Sequence, residues 1–159
     1  MSRFAGAVLT AALMTFGAVL TAPLTAPQAV AASATASDAQ QALAQLNAYR
    51  KSKGLGAVQL DAKLTQMAQD LANACVAAKG KCDHTTGGSF SARLRKAGVN
   101  AGYGAENLRK NETTLDGAFA WWKGSKIHNS NMLISQVKRL GFARAPATGK
   151  GFWVLVVTD

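Results

Sequence analysis

Cysteine, histidine and acidic side chains are all scarce in this chain. Two cysteines, two histidines and eight Asp or Glu occur among 159 residues, and each shortage narrows what the protein can be. With no second cysteine pair, a reading of the two thiolates as metal ligands is weak. The pair that is present, Cys75 and Cys82, encloses a short loop and is expected to close as a local disulfide in an oxidising compartment. Against the eight acids stand eighteen Lys and Arg, a formal net charge of +10, so the chain is drawn to anionic surfaces in a salt-sensitive way. The basic residues are scattered as Arg50-Lys51, Arg93-Leu94-Arg95-Lys96, Arg109-Lys110 and Lys138-Arg139 without a nucleic-acid-binding motif, and no specific nucleic-acid recognition is expected. Solubility is the simplest reading of the charge.

Charge is missing altogether from one long stretch. After Arg3, Phe4 to Leu20 is an uncharged run rich in Ala, Leu, Val and Phe, and Pro23 and Pro27 precede the small-x-small sequence Ala29-Val30-Ala31. Residues 1–31 therefore read as a secretory signal peptide, placing the mature protein in the secreted or periplasmic space. An uncleaved anchor is the alternative, because the apolar run approaches the about 20 residues that span a bilayer. Residues 32–37 are small and of low complexity and read as a flexible leader. The folded domain is then 38–159. It holds seventeen of the eighteen basic and all eight acidic residues, and so nine net positive charges, and it is large enough for one hydrophobic core.

Within that domain the helical signals come first. Asp38 is placed to cap a helix running to about Lys53, which Gly54 ends. From an Asp61 cap, Leu64, Met67, Ala68, Leu71, Ala72 and Cys75 form one continuous apolar face, with the two alanines small enough to let another layer approach. Ser89 starts a short helix that Gly98 ends, and Thr113 with Asp116 resembles a capping box ahead of Leu115, Ala118, Phe119 and Trp122. The last third changes character. Gln136 to Arg144 alternates loosely, and Phe152 to Val157 is an unbroken aromatic and β-branched run, so a hairpin turning through Pro146, Gly149 and Gly151 is expected, with its last strand buried on both faces. Helices first and strands last give an α+β domain with helices on both sides of a small sheet.

The chemistry-bearing residues lie outside these apolar runs. Leu46-Asn47-Ala-Tyr-Arg50, Leu60-Asp61-x-x-Leu64-x-x-x-Ala68-x-x-x-Ala72, His84, Arg93 with Ala97-Gly98, Glu106-Asn107, Trp122-x-x-Ser125-x-x-His128-x-x-Asn131 and Gly141-Phe142-Ala143 follow one another in an order that resembles the bacterial CAP family (cysteine-rich secretory proteins, antigens and pathogenesis-related proteins). No single motif is specific; the ordered series is. The resemblance implies a three-layer α-β-α sandwich with a small, mainly antiparallel sheet. It also implies a cleft in which His84, Glu106 and His128 converge, with Asn107, Ser125 and Asn131 around them. One family member is absent, since Trp122-Lys-Gly-Ser125 stands where many relatives carry a second glutamate in Trp-x-x-Glu. Neither Glu112 nor Asp116 matches that motif.

Several roles are open for the cleft. By analogy with relatives, His84 and His128 would hold a weak, exchangeable Zn²⁺, with Glu106 acting through water. A carboxylate beside His128 would ease its protonation, which would compete with metal. A purely structural hydrogen-bonded cluster is the alternative. Ser125 as a nucleophile, with His128 as base and Glu106 as orienting acid, is a third reading, but a serine there is more simply a helix N-cap. Asn131 is placed to bond loop backbone or to position the His128 ring. Trp121, Trp122 and Trp153 would line a lipid or sterol groove of the kind reported for some relatives; core packing is the better default for Trp122 and Trp153, leaving Trp121 as the aromatic that reaches the surface. The resulting expectation is a secreted binding module for a lipidic or anionic cell-surface ligand. A metal-dependent hydrolase using His84, Glu106 and His128 is the alternative, weakened by the missing second acid.

Overall fold

The computed structural model describes residues 26–146 and 148–159, with side chains from residue 36 onward. The chain runs α1 (Ala26–Ser52), β1 (Gln59–Leu60), α2 (Ala62–Ala77), α3 (Phe90–Lys96), β2 (Gly104–Glu112), α4 (Leu115–Gly124), α5 (Lys126–Met132), β3 (Arg139–Ala145) and β4 (Gly151–Thr158). The strands form one sheet in the order β1-β3-β4-β2, with β1 parallel to β3 and the other pairings antiparallel.

β4 lies between two neighbours, and its side chains alternate to opposite faces as strand geometry requires. Phe152, Val154 and Val156 join Met67, Leu71 and Ala72 of α2 in one core. Trp153, Leu155 and Val157 join Leu46 of α1, Phe119 and Trp122 of α4 and Met132 of α5 in the other. Burial of each large apolar side chain contributes about 2 kcal/mol, and one strand supplies both layers. The outcome is the expected α-β-α sandwich of α+β class, with the hairpin as anticipated.

On the first face α2 is set by the features read from the sequence. Asp61 Oδ1 accepts from Leu64 N at 3.0 Å, and all six residues of the anticipated face are buried. Ala68 and Ala72 let the helix settle onto the sheet, and Gly141 of β3 completes the approach, because a Cβ there would collide with the Leu64 backbone. Beyond the helix, Cys75 and Cys82 form the expected disulfide. Ser89 Oγ caps α3 by accepting from Ala92 N at 3.3 Å, and Gly98 ends that helix with φ +65.

The motif in α1 proves to be a set of fasteners. Asn47 Nδ2 donates to Val58 O at 2.9 Å, and Asn47 Oδ1 accepts from Val58 N at 2.8 Å, which fixes the segment entering β1. Arg50 is fully buried. It donates from Nε to Gly56 O at 2.8 Å and from Nη1 to Met132 O and Ile134 O, each at 2.9 Å, so a helix end is tied to the chain that leaves α5. Burial holds its guanidinium below the ordinary value.

Several expectations need correction. Residues 32–37, expected as a leader, lie within α1, which begins at Ala26, so Asp38 lies inside the helix and does not cap it. The alanine-rich composition explains this, alanine being the strongest helix former. Residues 1–25 of the expected signal peptide lie outside the described residues. The cap of α4 is Thr114, whose side chain accepts from Gly117 N, one position later than expected. Trp121 is not the sole exposed aromatic, since Tyr103 is 57% exposed. β1 and β2 were not anticipated. The first is two residues long, and the second, Gly-Ala-Glu-Asn-Leu-Arg-Lys-Asn-Glu, is too polar to announce a strand by hydrophobic pattern.

Candidate functional site

β2 is an edge strand, and the expected cleft residues gather along it. Glu106 is buried and faces the α2/α3 side. His84, on the loop after the disulfide, lies with Nδ1 2.9 Å from Glu106 Oε1, and its side chain is 52% exposed against 3% for the glutamate. A carboxylate only accepts, so His84 Nδ1–H donates, and the ring turns its Nε2 lone pair away from Glu106. The other carboxylate oxygen, Oε2, accepts from Arg93 Nη2 at 2.6 Å. Arg93 Nη1 donates to the carbonyls of His84 and Thr86, at 3.0 and 3.1 Å, and to Gly88 O. One buried guanidinium thus fixes both the acid and the loop that carries the histidine.

His128 approaches from α5, on the other face of β2. Its ring centroid stands 6.5 Å from that of His84 and 4.7 Å from that of Trp121, whose own ring has the Arg109 guanidinium 4.9 Å from its centroid. Asn107 Nδ2 donates to His128 O at 2.9 Å, and Asn131 Nδ2 donates to Asn107 Oδ1 at 2.9 Å. Asn131 also reaches Glu106 O at 3.5 Å. The two asparagines therefore join α5 to β2 through side chain and backbone, and hold His128 opposite His84.

The description "CAP: Cysteine-rich secretory protein family" fits residues 43–158. The chain belongs to the CAP family. Its fold resembles an extracellular protein with an SCP domain from Bacillus anthracis, at 19% identity and TM-score 0.74 over 87% of this chain and 45% of that one. It also resembles a cysteine-rich secretory protein from Staphylococcus aureus, at 18% identity and TM-score 0.66 over 79% of this chain and 39% of that one. An outer surface protein of Borrelia burgdorferi matches at 18% identity and TM-score 0.71, over 77% of this chain and 92% of that one. The chain spans less than half the length of the Bacillus and Staphylococcus proteins. Among curated proteins none matches.

In this CAP domain the cleft departs from two readings of its sequence. Ser125 occupies the N-cap position of α5 but makes no side-chain cap bond; its Oγ lies 2.8 Å from His128 Nδ1 instead. That pair does not complete a nucleophilic triad, because Glu106 bonds His84 and not His128. For the same reason no carboxylate eases protonation of His128. Burial, and secondarily the charge of His84, hold its imidazole below the ordinary value.

The donor set bears on the metal that the family implies. Among the described residues, no three His, Cys, Asp or Glu stand grouped to hold an ion. The residues that would hold one are the two imidazoles of His84 and His128, whose ring centroids stand 6.5 Å apart, with water completing the set. Glu106, with both oxygens bonded, supports His84 from behind as an outer-shell carboxylate. His128 can ligate through Nε2 only when Nδ1 carries its proton and donates to Ser125 Oγ. Such a metal would supply Lewis acidity; the protein's residues would orient and hold it.

Two contributors were not recognised from sequence. Arg93 was quoted for its place in the motif series but given no role, and no pattern in one sequence pairs it with Glu106 thirteen residues on. Trp121 was anticipated at the surface, and at 41% exposure it is, but its contact with His128 was not foreseen. Helical spacing would not have found it, because α4 and α5 are separate helices. No helix among the described residues is long and apolar enough to cross a membrane.

Proposed function

We propose that this CAP domain is an exported binding module whose His84–His128 cleft takes an anionic or lipidic ligand. The observation that carries this reading is the double engagement of Glu106 by His84 and Arg93. A carboxylate committed at both oxygens and shut from water is a poor general base, so what the cleft presents is recognition chemistry. That chemistry comprises the half-exposed His84 ring and the Trp121 ring, which stands against His128 and carries the Arg109 guanidinium over it. Export is supported by the uncharged N-terminal run and by relatives described as extracellular and outer-surface proteins. A two-imidazole Zn²⁺ site is part of the same proposal. The hydrolase reading draws less support, since neither a free acid nor a completed triad stands at the cleft.

The test is vesicle cosedimentation of the full chain at low salt, comparing phosphatidylglycerol with phosphatidylcholine vesicles, for wild type and His84→Ala/His128→Ala, with and without Zn²⁺. The expected result is retention on the anionic vesicles that the double variant loses at least threefold. Equal retention by wild type and variant would move binding away from the cleft.

A further inference from the structure

β2 lies at one edge of the sheet and pairs with β4 alone. The register of that pairing tells which of its peptide groups face outward. Gly104 stands opposite Thr158, and one residue further out Asp159 N donates to Tyr103 O at 3.2 Å. Bonded pairs alternate along an antiparallel ladder, so Ala105, Asn107 and Arg109 direct their main-chain groups to β4, while those of Gly104, Glu106 and Leu108 point away from it. On that outer side, among the described residues, Glu106 O alone has a partner, Asn131 Nδ2 at 3.5 Å. That is longer than an ordinary N–H···O bond of about 2.9 Å. From Gly104 to Arg109, before the irregularity that separates Arg109 from Glu112, the open edge runs about 20 Å.

We infer that this edge captures an extended acidic peptide as a fifth strand of the four-stranded sheet. Main-chain hydrogen bonds would supply the affinity, as in other strand additions, and side chains on the two faces would supply the choice. On the α2/α3 face the peptide's side chains meet His84, which is bonded to Glu106. On the α4/α5 face they meet Arg109, whose guanidinium lies over Trp121. Arg109 is open to a stronger partner. Its Nη2 stands 3.8 Å from Glu112 Oε2, outside hydrogen-bond distance, and its Nε is buried without a bond. Glu112 is held elsewhere, with Oε1 accepting from Thr113 N at 2.8 Å. Lys110, the next residue, is exposed. Glu106 does not offset these cations, being committed to His84 and Arg93. The same charges disfavour a second copy of the chain as the occupant, because each copy would bring its own Arg109 and Lys110 to the seam; lysine on an edge strand guards against such pairing.

The inference rests on the reading of the cleft as an anion-recognising module and names the class of ligand, and the experiment separates the two. The full chain is titrated by calorimetry and by amide chemical-shift mapping with the heptapeptide acetyl-Thr-Glu-Val-Glu-Val-Glu-Thr-amide and with its counterpart carrying lysine for glutamate. Two further analogues are N-methylated, one at the glutamates and one at the valines, because in a bound strand only one of these sets faces β2. The acidic peptide is expected to bind with shifts concentrated in Gly104 to Lys110, and the lysine peptide at least tenfold more weakly. One N-methylated analogue should lose at least tenfold while the other stays within about threefold of the parent. Lys110→Glu, a change at an exposed side chain, should weaken the acidic peptide at least threefold. Both analogues carry the parent's charge, so equal effects of the two methylations overturn strand addition and leave the anion reading intact. Absence of peptide binding alongside retention on phosphatidylglycerol vesicles has the same meaning, and loss of both overturns both. Strand addition also falls if the lysine peptide binds as tightly as the acidic one, or if sedimentation shows a dimer that the peptide does not dissociate, which would assign the edge to a second copy.

Discussion

Arg93 Nη2 and Glu106 Oε2 lie 2.6 Å apart with side chains only 6% and 3% exposed, so the cleft is built on an ion pair closed to water. Removing one partner of such a pair leaves the other uncompensated, which costs about 3–5 kcal/mol, while removing both can be nearly neutral. Arg93→Met is therefore expected to lower unfolding free energy by about 3 kcal/mol or more in urea titrations. Arg93→Met/Glu106→Gln should recover a good part of that loss. A double variant no more stable than the single would show that Arg93 acts chiefly through the His84, Thr86 and Gly88 carbonyls.

Acidification should weaken the domain through His128. Burial, aided by the nearby His84 charge, lowers its folded-state pKa from 6.5. The unfolded chain thus takes up a proton that the folded chain resists, and stability rises with pH across the window where they differ. His128's contribution is complete above about pH 6.5 and is lost as pH falls through the depressed folded value. With a chelator present, the melting temperature is expected to fall from about pH 7.5 to about pH 5, and to fall less in His128→Asn. Parallel profiles for the two proteins would contradict this.

Gly141→Ala tests how closely α2 sits on the sheet. The new methyl meets Leu64 backbone, which cannot rotate away as a side-chain tip would, so the helix must shift bodily. Overpacking of this kind costs about 3 kcal/mol. Denaturation that gives less than about 1 kcal/mol would mean that α2 can slide at little cost.

The disulfide constrains the loop that ends at His84. Opening the Cys75–Cys82 ring, of sequence separation 7, should remove about 2 kcal/mol by releasing the unfolded chain. Cys75→Ser/Cys82→Ser is expected to show that loss, together with faster amide exchange over residues 79–86 than over β3 or β4. Uniform exchange would place the loop's order in the Arg93 bonds alone.

Most of the framework was legible because it depends on local chemistry. The Asp61 and Ser89 caps, the α2 face, the disulfide and the buried last strand each announce themselves within a few residues. β2 did not, since an edge strand bearing Glu106, Arg109, Lys110 and Asn111 lacks the apolar alternation that marks a strand. The convergence of His84, Glu106 and His128 came from resemblance, and the structure brings them together. Their pairing was misread: proximity to a carboxylate was assigned to His128 and belongs to His84. Which ring an acid meets is decided by the two faces of one strand, a property absent from spacing. Likewise Ser125 has the sequence of a cap, and only the fold turns its hydroxyl to a ring nitrogen.

The placement of β4 has a consequence for how the domain comes into being. Until Phe152 to Val157 have been made, β2 has no strand to pair with, and the sheet on which both helix layers pack lacks its inner strand beside β3. A nascent chain that has already produced α1 to α5 must wait for this strand before the sheet can close, so assembly is gated by an element made after every helix it supports. Any premature arrest upstream of Gly151 would leave both apolar helix layers only partly covered, by β3 alone.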